Sequence, residues 1–209
     1  MSCDVHHPVF ARVYARLSPR TDSRGGAEHR RELLAGLRGC VLELGAGNGL
    51  NFPYYPATVT EVVAVEPEDY LRARADGAAQ TGPVPVTVVD AVADQLPFPD
   101  GSFDAAVTAL VLCSVPDQAT ALLELRRVLR PGGELRFYEH VRPSNPRTAA
   151  VWQRADAWNI YPRIAGGCHA ARDTERAIRD AGFAVERCRR FPFKGGPVSA
   201  PHILGLARR

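Results

Sequence analysis

In 40-CVLELGAGNGLN-51 a short apolar run, broken only by Glu43, gives way to three glycines at alternate positions. A short apolar run that stops at glycines reads as a buried strand ending in a tight turn. Gly45, Gly47 and Gly49 permit backbone angles closed to other residues and let the main chain approach a ligand. A helix expected after the turn would present unpaired N–H groups and the positive end of its dipole. The spacing is GxGxG, whereas a dinucleotide fingerprint requires GxGxxG. Glu66 follows Glu43 by 23 positions and precedes Pro67. At the end of a second strand, 62-VVAVE-66, its carboxylate is placed to accept hydrogen bonds from two ribose hydroxyls.

The rest of the chain repeats the alternation of strand and helix. Strands are expected at 85–89, 104–112 and 134–140, and helices near 68–79 and 117–130, the latter stopped by 131-PGG-133. Two N-terminal helices, 8–17 and 27–37, are separated by the polar stretch 18-SPRTDSRGG-26. After residue 140 come a loop, a helix over 148–160, a helix over 171–181 and two final strands, 183–190 and 202–208, read as antiparallel neighbours. The fold class is α/β: a Rossmann-like, doubly wound, mostly parallel sheet with antiparallel C-terminal strands and a small helical cap. One domain is expected over 1–209, with a helical lid (1–37), a core (38–140), a cap (141–170) and a closing helix and strands (171–209).

Composition narrows the function classes. The chain has 209 residues, 45% hydrophobic and 23% charged, enough for one buried core. Its net charge of +3 is too small to argue for nucleic acid. Arginines interleave with acids in 28-EHRRELL-34 and 172-RDTERAIRD-180, the pattern of solvated helix faces. No stretch approaches the ~20 apolar residues of a membrane span, and MSCDVHHPVF lacks the form of a signal peptide. The five cysteines contain no CxxC pair, so a reduced, cytoplasmic protein without a metal is expected.

Four blocks taken together, 43-ELGAGNG-49, 65-VEP-67, 94-DQLPFPDGSFD-104 and 128-VLRPGGEL-135, resemble the class I S-adenosylmethionine-dependent methyltransferases in order and spacing. The resemblance implies S-adenosylmethionine as cofactor, S-adenosylhomocysteine as product and a small-molecule acceptor. It implies that Gly45, Ala46 and Gly47 pack against the methionine part of the cofactor, with Glu43 near its amino group and Asn51 in the same set. Glu66, followed by Pro67, would hold the ribose. Relatives often have Gly-Asp-Ala after strand three. Here the matching residues are Ala91, Val92 and Ala93, so the adenine would be met by Val92, Ala93 or Asp94. Thr108 to Leu110 would face the sulfonium. The further stretches 110-LVLCSV-115, 139-EHV-141, 167-GCHAAR-172 and 201-PHILGLA-207 are similar to the subgroup that includes animal thiol methyltransferases, which makes a thiol the leading acceptor.

A thiol acceptor must lose its proton, and a base or a nearby positive charge helps it do so. His140, at the end of strand five, and His169, beside Cys168, are the candidate catalytic residues; His202 is a weaker third. Cys113 and Cys168 read as packing residues. Trp152, Trp158 and Tyr161 are either pocket wall or core, and Tyr14 is placed to cover the cofactor. Two other functions stay open at this level: a cofactor-binding protein without catalysis, and a nicotinamide-dependent oxidoreductase.

Overall fold

The computed structural model describes residues 7–158, 162–163, 165–193 and 200–209. Its centre is a seven-stranded sheet made of β1 (Gly39–Leu44), β2 (Val59–Val65), β3 (Val86–Val89), β4 (Phe103–Ala109), β5 (Leu129–His140), β6 (Ala184–Phe193) and β7 (Ala200–Arg208). Their spatial order is β3-β2-β1-β4-β5-β7-β6. The first five pair in parallel, while β7 runs antiparallel to both β5 and β6. The strand order reverses between β1 and β4, which opens a crevice at the carboxyl ends of those strands.

Successive side chains of a strand point to opposite faces, so each central strand feeds two cores. Val41, Val62, Ala64, Ala105 and Val107 pack on one face with Leu33, Leu34 and Leu37. Leu42, Leu44, Ala106, Leu135 and Phe137 pack on the other with Leu122, Leu125 and Val128. The covering helices are α1 (Pro8–Thr21), α2 (Ala27–Leu34), α3 (Asp69–Ala79), α4 (Gln118–Val128), α5 (Pro146–Ala157) and α6 (Thr174–Asp180). Asp117, Asn145 and Asp173 cap the last three by accepting hydrogen bonds from first-turn N–H groups.

Five sequence expectations are corrected. The polar stretch 18–26 is not a loop: α1 runs on to Thr21 and joins α2 through a π-type turn, Asp22–Gly26, kinked at Gly25. Asp22 holds this turn inward, one oxygen on Arg30 Nε at 2.8 Å and the other on the Tyr54 hydroxyl at 3.0 Å. Arg30 is therefore buried rather than solvated. The element after the glycine turn is a short 3-10 helix, Phe52–Tyr54, and not an α-helix with a ligand-binding N-terminus. Strand β4 ends at Ala109, because Leu110 adopts a left-handed conformation (φ 61°) that turns the chain out of the sheet.

Strand β5 also begins earlier than 134. Phe103 pairs with Leu129 and Ala105 with Glu134, so residues 130–133 form a bulge at its start.

Leu125 is fully buried between α4 and the sheet. Leu125→Ala is expected to lower stability by about 2–5 kcal/mol, read from urea unfolding midpoints at unchanged m-value.

Candidate active site

The crevice beyond β1, β2 and β4 is a cleft of about 690 Å³, a size suited to a nucleotide-scale ligand. Gly45, Gly47, Glu66, Pro67, Val92, Ala93, Asp94, Leu110 and His169 line it. The sequence reading is thus brought together at one place from four strand ends. Glu43, Ala46, Asn51, Thr108 and His140 do not line it.

Glu66 is the fixed point of the cleft. Only 6% exposed, its carboxylate accepts the Gly47 N–H at 2.7 Å and the Glu68 N–H at 3.0 Å. Burial raises its pKa, against the lowering effect of those two N–H donors. Gly45 (φ 66°) and Gly47 (φ 58°) have left-handed backbones that a side chain would strain. A Cβ on Gly45 would also overlap the side chain of Val111, and one on Gly47 would stand 3.3 Å from the Tyr14 ring. Both positions keep the floor of the cleft free of side chains, a cradle against which an extended ligand can lie.

Behind that floor lies a chain of buried polar groups that the sequence did not expose. Glu43 accepts hydrogen bonds from Asn51 Nδ2 at 2.9 Å and from the Tyr55 hydroxyl at 2.7 Å. Asn51 in turn accepts from Arg30 Nη1 at 2.7 Å, and Arg30 pairs with Asp22. The kinked N-terminal helices are thereby tied to the glycine turn. Tyr14 of α1 lines the cleft over Gly47, and Phe10 packs against Gly166. Only the fold reveals Arg30 here, because in sequence it sits among alternating charges.

The β4–α4 loop is held by a second buried carboxylate. Glu139 accepts from the N–H groups of Val111 at 3.3 Å, Leu112 at 3.1 Å and Cys113 at 3.4 Å. Arg172 reinforces the same loop by donating to the carbonyls of Leu112 at 2.8 Å and Val115 at 2.7 Å. His169 donates its backbone N–H to the Cys113 carbonyl at 2.7 Å, which sets its side chain on the cleft wall beside Ser114 and Gly167. Burial, then the charge of Arg172, lowers the His169 pKa, so the ring is neutral near pH 7.

His140 faces away from the cleft, its Nδ1 lying 3.6 Å from Cys168 Sγ and 3.8 Å from Cys113 Sγ. His202 is buried against His140, Tyr138 and Phe193. Trp158 is 72% exposed and Trp152 half-buried, and neither lines the cleft. Tyr161 lies outside the described residues.

A Rossmann-like sheet with a glycine floor and an acidic residue at the second strand end defines a nucleoside-binding α/β protein. Residues 42–137 match the methyltransferase domain family. The chain is 33% identical to thiol S-methyltransferase TMT1B of Homo sapiens, over 95% of this chain and 85% of that protein. It is 32% identical to the ubiquinone/menaquinone biosynthesis C-methyltransferase UbiE of a Marinomonas strain, over 70% of this chain and 63% of that one. In fold it is similar to an S-adenosylmethionine-dependent methyltransferase of Thermotoga maritima (TM-score 0.69, 19% identity, 95% of this chain and 96% of that chain). The chain belongs to the class I S-adenosylmethionine-dependent methyltransferases, and is an enzyme that uses S-adenosylmethionine. Among the described residues no helix is long and apolar enough to cross a membrane.

Burial pushes the Glu43 carboxyl up to about 7, against the hydrogen bonds of Tyr55 and Asn51 and the charge of Arg30. An acid whose folded pKa exceeds its unfolded value stabilises the fold below about 4.5 and loses that contribution as pH rises through about 7. The stability of wild type relative to Glu43→Gln is therefore expected to fall by roughly 1–3 kcal/mol between about pH 4.5 and 7.5, measured by urea unfolding at each pH.

Proposed function

We propose that this enzyme methylates a small thiol, with the glycine floor and Glu66 holding the cofactor and His169 taking the acceptor's proton. The observation that carries the cofactor assignment is Glu66. It is a nearly buried carboxylate on the cleft wall, locked by two backbone N–H groups and still able to accept hydrogen bonds through its remaining lone pairs. Gly45 and Gly47 would lie along the methionine part of the cofactor, and Val92, Ala93 and Asp94 would frame the adenine. The bound cofactor supplies a methyl group already activated on a positive sulfur. Glu43 and Asn51, which do not line the cleft, act through the turn they brace. Thr108, fully buried, supports the strand end behind Leu110.

The chain's own task is alignment, exclusion of water and removal of one proton. Residues 1–37 act as the lid, with Tyr14 and Phe10 on the cleft, and 141–170 as the cap, which brings His169 to the wall. Neutral His169 is the one cleft histidine from the cap, and its Nδ1 or Nε2 is the proton acceptor for a bound thiol. His140, turned to two sulfurs behind the wall, positions that wall rather than meeting the acceptor. A thiol is favoured because its proton is lost more readily than that of a hydroxyl, and because a relative that this chain matches over 95% of its own length and 85% of the other's is a thiol S-methyltransferase. The four described cysteines are free thiols, which supports a reducing compartment such as the cytoplasm.

Calorimetric titration with S-adenosylmethionine and S-adenosylhomocysteine is expected to show binding of both, and Glu66→Ala to weaken each by about 10–100-fold; unchanged affinity rejects the ribose role. In a turnover assay with small alkyl thiols, His169→Asn is expected to lower kcat by about 10²–10⁴-fold with little change in cofactor affinity. Full turnover in that variant rejects the base, and absence of thiol methylation by wild type rejects the acceptor.

A further inference from the structure

Behind the cleft wall, three segments far apart in sequence bring soft donor atoms to one point. Cys113 comes from the β4–α4 loop, His140 from the end of β5, and Cys168 from the segment between α5 and α6. Their sulfur and nitrogen atoms all lie within 4.8 Å of one another. Cys113 is 1% exposed and Cys168 5%. The reaction proposed above uses none of these three groups directly.

Weak sulfur hydrogen bonds already link the three. Both sulfurs converge on the same ring nitrogen, at 3.8 and 3.6 Å. A ring nitrogen offers one in-plane site, either a proton or a lone pair, so it serves only one sulfur directly; the two sulfurs also meet each other, and Cys113 Sγ lies 3.6 Å from the Ser114 hydroxyl. A cation between the three satisfies all of them at once. In a tetrahedral site with metal–nitrogen bonds of about 2.0–2.1 Å and metal–sulfur bonds of about 2.3 Å, the nitrogen–sulfur edge is about 3.6 Å. The two observed separations fit that edge. Thiolate and imidazole donors suit zinc and its neighbours and not magnesium or calcium.

We propose that Cys113, His140 and Cys168 form a binding site for one divalent ion of the zinc class, held by two thiolates and the Nδ1 of His140. Each thiol gives its proton to solvent as the ion binds, and the two thiolates neutralise its charge. Three protein ligands leave one coordination position for water or another small donor. Ser114, whose Oγ is 3.6 Å from Cys113 Sγ, lines the cleft, as does Gly167 beside Cys168. The site therefore abuts the cleft and staples the cap to the carboxyl ends of β4 and β5. It stands apart from the choice of acceptor, since it concerns only the ion.

The spacing of these residues in sequence gave no sign of the site, because no two share a short motif. The test is titration of the reduced, chelator-stripped full chain with cobalt(II), read by the thiolate-to-cobalt charge-transfer absorption and the visible bands of tetrahedral cobalt. One equivalent is expected to develop both, and zinc to abolish them by displacement. Cys113→Ser and Cys168→Ser should each diminish the charge-transfer band, and their double variant should lose it. Cys40→Ser and Cys188→Ser should leave it intact. A second readout needs only wild type: saturating cobalt should slow alkylation of Cys113 and Cys168, mapped by peptide mass, and not that of Cys40 or Cys188. Absence of the band in reduced wild type, its persistence in the double variant, or equal alkylation with and without cobalt overturns the site.

Discussion

The hydrogen bond from the Gly47 N–H to the Glu66 carboxylate, 2.7 Å long and buried, joins the turn after β1 to the end of β2. Without it the glycine turn would be three residues of high backbone freedom at the mouth of a crevice. With it, the floor of the cleft and its acidic wall are one rigid piece. The other oxygen of the same carboxylate takes the Glu68 N–H and fixes the start of α3. A single side chain thus sets the cleft's shape and presents its negative charge.

Glu139 repeats the device one strand pair away. Its carboxylate gathers the N–H groups of residues 111–113, just past the left-handed Leu110. A non-glycine residue in that conformation costs on the order of 1–2 kcal/mol. The cost is offset because the Leu110 N–H bonds the Tyr138 carbonyl at 2.7 Å and the next amides are all partnered. Both cleft-forming loops are therefore held by buried acids at strand ends. Burial raises the pKa of both acids, Glu139 to about 7, against the lowering effect of the N–H groups they accept.

The N-terminal helices are connected to this frame through charge. Asp22, Arg30, Asn51, Glu43 and Tyr55 form a continuous hydrogen-bonded path from the helical kink to the underside of the glycine turn. Removing one partner from such a path leaves another buried and unpaired, which costs more than the bond itself contributed. The same path explains why the 18–26 stretch, polar enough to read as a loop, is helical: Asp22 is polar for the sake of Arg30 and Tyr54.

What the sequence determined by itself was the pattern that local physics enforces. Apolar runs of strand length, glycines where the backbone must turn left-handed, and acids at strand ends placed β1 to β4, Glu66 and the cleft in advance. Nine of the residues read from sequence as site residues line that cleft together. Tertiary structure alone decided which polar residues are buried and which partners they find. Arg30 sits in a charge pattern identical to that of a solvated face, and becomes internal only because Asp22 and Asn51 converge on it. His140 and His169 look alike in sequence. One lies against two sulfurs and the other lines the cleft, because one ends β5 and the other follows Cys168 in the segment before α6. The cluster of Cys113, His140 and Cys168 joins positions 27 or more residues apart, and proximity over such separations is fixed by how the sheet is wound, which no local pattern encodes.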